Sequence, residues 1–184
     1  ARSAVRLRPG ATSWSCSHGV ERWRSACGCG ATQSTSQDWR APLRAALEGL
    51  RERLDGLYEE QSRGLLPDPW GARDAYVAVE LDRSEPSVAS FLALHAPAVK
   101  DEQARVRALT LFEMQRHSLM MFTSCGWFFD DLARLEPVQV LLYAARALEL
   151  ARALGADFEP EFVSALSDGT GVWEKLVKPQ IVTP

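Results

Sequence analysis

The 184-residue chain contains no asparagine, a single isoleucine (Ile181) and only three lysines against 18 arginines, a usage that reflects a GC-rich coding sequence and carries little functional weight. It also lacks a dominant charge, since 21 basic residues stand against 24 acidic ones for a net of −3. That balance gives no general reason to expect a nucleic-acid partner or another polyanion. No apolar run approaches the roughly 18–20 residues needed to cross a bilayer, so no membrane partner is expected. The basic N-terminus lacks the hydrophobic segment of an export signal. A soluble, cytoplasmic protein is the resulting expectation. Apolar residues, by contrast, are plentiful: at 46% they suffice for a core of ordinary size and are too many for a disordered chain.

Cysteine is sparse and unevenly placed. Cys16, Cys27 and Cys29 fall within a stretch of 14 residues, while Cys125 lies far along the chain. A chain of this length needs no disulfide staples, and without an export signal its thiols are expected to be reduced. Thiols clustered beside His18 then point to a metal site, to structural buried thiols, or to redox or nucleophilic chemistry. Zinc or an iron–sulfur cluster requires soft donors converging from about four positions. Cys16, His18, Cys27, Cys29 and Cys125 are the candidate metal ligands. Their spacing departs from zinc ribbons, because Cys16-Ser17-His18 and Cys27-Gly28-Cys29 hold one residue between donors where ribbons hold roughly two to four.

Composition changes near residue 38. Residues 1–37 are rich in Gly, Ser, Thr, Cys and Arg, show no sustained period, and carry Pro9-Gly10, Gly28 and Gly30 as breakers. They read as an irregular basic arm. Residues 1–53 hold nine arginines and four acids, a net of +5, which leaves −8 on residues 54–184. Such segregation suggests that the arm docks on the rest of the chain or on an acidic neighbour.

Beyond residue 38 the periods are helical. Leu43, Leu47, Leu50, Leu54 and Leu57 alternate spacings of four and three, which places them on one face of a helix that Asp38 could cap and that ends near Gly64. Asp68-Pro69 starts a second helix through Ala72–Leu81, and Glu85-Pro86 a third through Leu94. Asp101 opens the longest, to about Thr123, with Val106, Leu109 and Met120 on one face and Leu111, Leu119 and Phe122 on the other. A helix apolar all round is expected to be central. Glu136-Pro137 begins another through Leu154, with Val138, Leu141, Leu142, Ala145 and Leu148 inward and Gly155 as a stop. A last short helix lies around Pro160–Leu166. The fold class is therefore all-α: an irregular Cys/Gly-rich arm over 1–37, a bundle of about five or six helices over 38–168, and a C-terminal tail over 169–184.

Two further constellations could carry chemistry. Glu113 and His117 lie four apart on the longest helix and so on one face, where burial would shift their pKa values and demand partners. A polar pair satisfied within the bundle is the plainer explanation. In Ser124-Cys125-Gly126-Trp127-Phe128-Phe129-Asp130-Asp131, three consecutive aromatics meet two acids at a helix break. Rings beside carboxylates suit a sugar cleft, and they equally suit a core corner with capping acids. Glu113, His117, Asp130 and Asp131 are taken together as a polar network.

The Thr12–Arg24 stretch with Cys27-Gly28-Cys29, followed by Phe112-Glu113-Met114-Gln115-Arg116-His117 and Thr123–Asp131, resembles a bacterial domain of unknown function. That domain follows the catalytic barrel in proteins related to glycoside hydrolase family 57. The resemblance runs from about Val5 to Leu154. It implies a parent with a distorted (β/α) barrel carrying a Glu nucleophile and an Asp acid, followed by helices that pack on the barrel and help wall an α-glucan cleft. Nothing in this chain matches the barrel or its catalytic motifs, so no catalytic residue is assigned. Because the chain starts with Ala, it is expected to be a C-terminal fragment. The implied role is a non-catalytic accessory module whose partners are the parent's barrel and an α-glucan, with Trp14, Trp23, Trp127 and Phe128 as the contacting rings. The alternative is a metal- or redox-active module built on the Cys/His set.

Overall fold

A computed structural model describes residues 18, 20–29, 36–166 and 170–180. Trp14 and Cys16 lie outside the described residues. Seven α-helices of five or more residues occur among them: α1 (Arg40–Ser62), α2 (Pro69–Ala75), α3 (Val77–Leu81), α4 (Glu85–His95), α5 (Glu102–Met120), α6 (Leu135–Ala153) and α7 (Glu159–Ala165). No strand appears among the described residues, and the fold is all-α.

The five leucines of α1 are all buried, Leu47 and Leu54 completely. Burying each such side chain contributes about 1.5–3 kcal/mol before entropy is counted. Asp38 does not cap this helix. Trp39 holds the N-cap position without a side-chain bond, and the Asp38 carboxylate instead accepts from Ser36 Oγ at 2.6 Å. The other starts behave as their sequences suggest. Asp68 Oδ1 accepts from Gly71 N at 3.0 Å with Pro69 in the first turn, and Asp101 Oδ1 accepts from Ala104 N at 2.8 Å. The continuous helix expected over Ala72–Leu81 divides at Tyr76, whose N–H is shared between Ala72 O and Arg73 O.

Helix α5 packs between α6 and α1, while α7 closes on α1. Gln115 ties α5 to α1, donating to Leu54 O at 3.3 Å and to Asp55 Oδ1 at 3.1 Å. Its burial is one-sided, which corrects the expectation of a helix surrounded by core: Leu111, Phe112 and Met114 are inside, whereas Val106 and Leu119 are 54% and 55% exposed. Helix α6 places Val138, Leu141, Ala145 and Leu148 in the core as its period indicates, with Leu142 partly buried. It stops at Gly155, whose φ of 92° is the left-handed conformation glycine adopts without strain.

The last described turns, Thr170–Val172, Trp173–Val177 and Lys178–Gln180, are helical. Trp173 and Val177 are fully buried, and the Trp173 ring meets Phe162 edge-on at 5.3 Å. The segment read as a tail therefore completes the core. No helix among the described residues is long and apolar enough to cross a membrane.

Candidate functional site

Asp130 sits where three segments meet: the arm, the start of α1, and the loop that follows the 3-10 turn Ser124–Trp127. Its carboxylate accepts from Gln37 Nε2 at 2.9 Å and from Arg40 Nη2 at 3.3 Å, with Arg22 Nη2 at 3.9 Å. Arg40 has no exposed surface; it also donates to Gln37 Oε1 at 2.7 Å and to Phe129 O at 2.9 Å. Trp39 Nε1 donates to Asp130 O at 2.9 Å, and its ring stacks on Trp127 at 6.0 Å. The turn approaches α6 so closely that a Cβ on Gly126 would overlap the Val140 side chain and come within 3.3 Å of Glu136 O. A glycine is needed there for close approach, not for an unusual φ.

Above this network lie His18, Cys27 and Cys29, whose ligand atoms are all within 4.8 Å of one another. Cys29 Sγ and His18 Nδ1 are 3.2 Å apart. Gly28, with φ of 73°, supplies the left-handed turn between the two thiols. Arg22 donates to Cys29 O, and Arg40 Nη1 stands 3.8 Å from Cys27 Sγ. Burial would raise the Cys27 thiol, but the Cys29 backbone N–H, Arg22 and Arg40 outweigh it and hold the pKa below its ordinary value. Cys125 does not join this group. It is exposed on the 3-10 turn, although that turn touches the arm's own short helix, Glu21–Trp23. The five-ligand convergence expected from the sequence thus reduces to three donors among the described residues.

The second network is centred on Glu113. Its Oε1 accepts from Tyr76 Oη at 2.8 Å and from Arg83 Nη2 at 2.9 Å, and its Oε2 accepts from Arg116 Nη1 at 3.4 Å. Glu80 pairs with both Arg83 and Arg116. Burial works to raise the Glu113 pKa, yet the Tyr76 hydroxyl and the two guanidinium groups prevail and hold it below the usual carboxylate range. His117 Nε2 lies 4.0 Å from Glu113 Oε2. Burial first, then Arg116, depresses the His117 pKa against the pull of Glu113, so the ring is neutral at pH 7. Beside this network a hollow of about 520 Å³ opens between Tyr76, Val77, Glu80, Phe112, Arg116 and Leu119.

The rings named for glycan or barrel contact separate clearly. Trp127 is a correction: at 1% exposure it is part of the core and unavailable to any partner. Trp23 is partly buried against the core, and Phe128 is 38% exposed beneath the Arg22 guanidinium. Asp131 does not share the Asp130 network; its Oδ1 accepts from Ala133 N at 2.9 Å and shapes the turn before α6.

Residues 36–184 match the family described as Domain of unknown function (DUF3536). The chain belongs to the DUF3536 family. Comparison with curated proteins and with solved structures gave no match. The DUF3536 match includes Arg40, Glu113, His117 and Asp130 and begins after His18, Cys27 and Cys29. The family description carries no activity.

Several members of both networks have no sequence signature. Arg22, Gln37 and Arg40 join Asp130 from 90 to 108 residues away, while Tyr76, at the break between α2 and α3, and Arg83, after α3, reach Glu113, with Glu80 of α3 pairing with Arg83 and Arg116. The one available signal was an arginine and a glutamine inside an otherwise amphipathic start, where a buried charge needs a distant partner.

Proposed function

We propose that this DUF3536 domain is a non-catalytic accessory module of a family-57-like carbohydrate-active enzyme, and that it packs on the catalytic barrel of its parent chain. The observation that carries this role is an aliphatic face around the hollow. Val77 and Leu119 line the hollow at 58% and 55% exposure, and Leu81, one helical turn beyond Val77, is 85% exposed. Charged Arg73, Asp74, Glu80 and Arg116 rim it. An apolar centre with a charged rim is the make-up of a protein-docking surface. A sugar subsite would instead present an exposed ring, and the aromatic side chains behind this hollow, Tyr76 and Phe112, are buried.

The acids support the absence of catalysis by the domain alone. A glycosidase acid must hold its proton near the working pH, and its partner carboxylate must face the substrate. Glu113, the acid beside the hollow whose pKa is held low, is kept ionised by three donors. The link to family 57 itself rests on the sequence resemblance of Thr12–Arg24, Cys27-Gly28-Cys29, Phe112–His117 and Thr123–Asp131. An α-glucan would contact this module through Trp23 and Phe128.

Two assays test the role together. Incubation of the chain with soluble starch should release no reducing ends, and the chain should co-purify with the segment that precedes it in its parent protein. Starch hydrolysis by the chain alone, or the lack of any association with that segment, contradicts the proposal.

A further inference from the structure

Three soft donors converge on the arm, and their geometry can be compared with what a metal ion requires. Around tetrahedral zinc, bonds of about 2.3 Å to sulfur and about 2.05 Å to nitrogen set the ligand atoms about 3.8 Å apart for S···S and about 3.6 Å for S···N. Cys29 Sγ and His18 Nδ1 are 3.2 Å apart, and every pair among His18, Cys27 and Cys29 lies within 4.8 Å. Side-chain rotation alone covers that difference. Cys27 Sγ also meets Gln37 Oε1 at 3.7 Å and Arg40 Nη1 at 3.8 Å, so the case for an ion is the convergence of all three donor atoms.

The surroundings are built for anionic sulfur. Arg22 donates to Cys29 O and Arg40 Nη1 stands 3.8 Å from Cys27 Sγ, so one guanidinium group fixes the Cys29 carbonyl, the other meets the Cys27 sulfur, and both share the Asp130 carboxylate. Zinc requires thiolates, and groups that orient and charge-balance the ligands belong to a working site. The turn at Gly28 brings both sulfurs to the same ion. Donors this close suit a single ion, whereas an iron–sulfur cluster gives each iron its own thiolate and spreads its ligands further.

We propose that His18, Cys27 and Cys29 bind one zinc ion, leaving a fourth position to solvent or another donor, and that the ion closes the loop of the arm between His18 and Cys29. Arg22, between the ligands in sequence, lies 3.9 Å from Asp130, and this pair attaches the loop to the helical domain. Zinc therefore stiffens a loop that the Arg22–Asp130 pair holds against the domain. This site is independent of docking on a barrel and stands or falls separately from it.

The test uses the full chain, stripped with a chelator and then dialysed against Zn2+ or Co2+. Wild type and Cys125→Ser should each retain about one zinc per chain and show the visible absorption of thiolate-bound tetrahedral Co2+. Cys29→Ser should bind zinc more than about tenfold more weakly and lose that absorption, with unchanged far-UV circular dichroism. Should Cys29→Ser fail to fold, the Co2+ spectrum of wild type decides alone. No zinc retained by wild type, no thiolate–Co2+ band, or an equal loss in Cys125→Ser overturns the proposal.

Discussion

Around Asp130, two guanidinium groups meet one carboxylate, and Arg40 has no exposed surface. Around Glu113, two arginines meet two carboxylates, and the side chains of Glu113, Glu80 and Arg83 keep 22%, 23% and 54% of their surface. The residue types are alike, but the consequences differ. A fully desolvated charge that loses its partner has no water to replace it, so the first network must be complete for the chain to fold there. Water can replace a lost member of the second, which sits on the rim of a hollow. One network anchors the arm; the other borders a surface.

This contrast can be broken most sharply at Asp130. Asp130→Ala leaves Arg40 buried without its carboxylate and should lower unfolding free energy by about 3–5 kcal/mol in urea denaturation. A loss under about 1 kcal/mol would make the two networks equivalent. Gly126→Ala strikes the support of the same loop. Its Cβ must displace Val140, and a cost of about 1–3 kcal/mol is expected in the same assay. In the rim network, Glu113→Gln keeps an acceptor for the Tyr76 hydroxyl and should cost only about 1 kcal/mol.

Acid should act on the rim network in two smaller stages. The His117 pKa is depressed below its ordinary 6.5, so the folded state favours the neutral ring. Its contribution is complete above pH 6.5 and is lost as pH falls through the lowered value. Glu113, held below its ordinary 4.5, behaves likewise at lower pH. Stability measured from pH 8 downward should thus decline first through His117 and then through Glu113. His117→Gln should remove the earlier decline and Glu113→Gln part of the later one. An earlier decline that persists in His117→Gln would contradict the assignment. Leu81→Asp, at an 85% exposed position, should change stability by less than about 0.5 kcal/mol.

The sequence made the all-α architecture plain because local periodicity carries it. The leucine spacing of α1, the Asp-Pro and Glu-Pro starts and the stop at Gly155 depend on neighbours within one or two turns. Capping by Asp38 was not legible, since a serine two residues earlier competes for the same carboxylate. Nor was the burial of Trp173, where a π-helical turn breaks the 3.6-residue period. Glu113 and His117 were visible as a pair four apart, and Cys27-Gly28-Cys29 as a thiol cluster. Their partners were not, because Arg40 meets Asp130 and Tyr76 meets Glu113 only through tertiary packing. Trp127 illustrates the limit: a run of aromatics marks a corner of the fold without saying which ring faces inward.

The most direct measurement tests the proposed docking: association between this domain and a family-57-like catalytic barrel, the proposed partner, compared for wild type and the double variant Leu81→Asp with Leu119→Asp. Both positions are more than half exposed, so the variant should melt at the wild-type temperature and lose association. A folded variant that associates as tightly as wild type would contradict docking through this face.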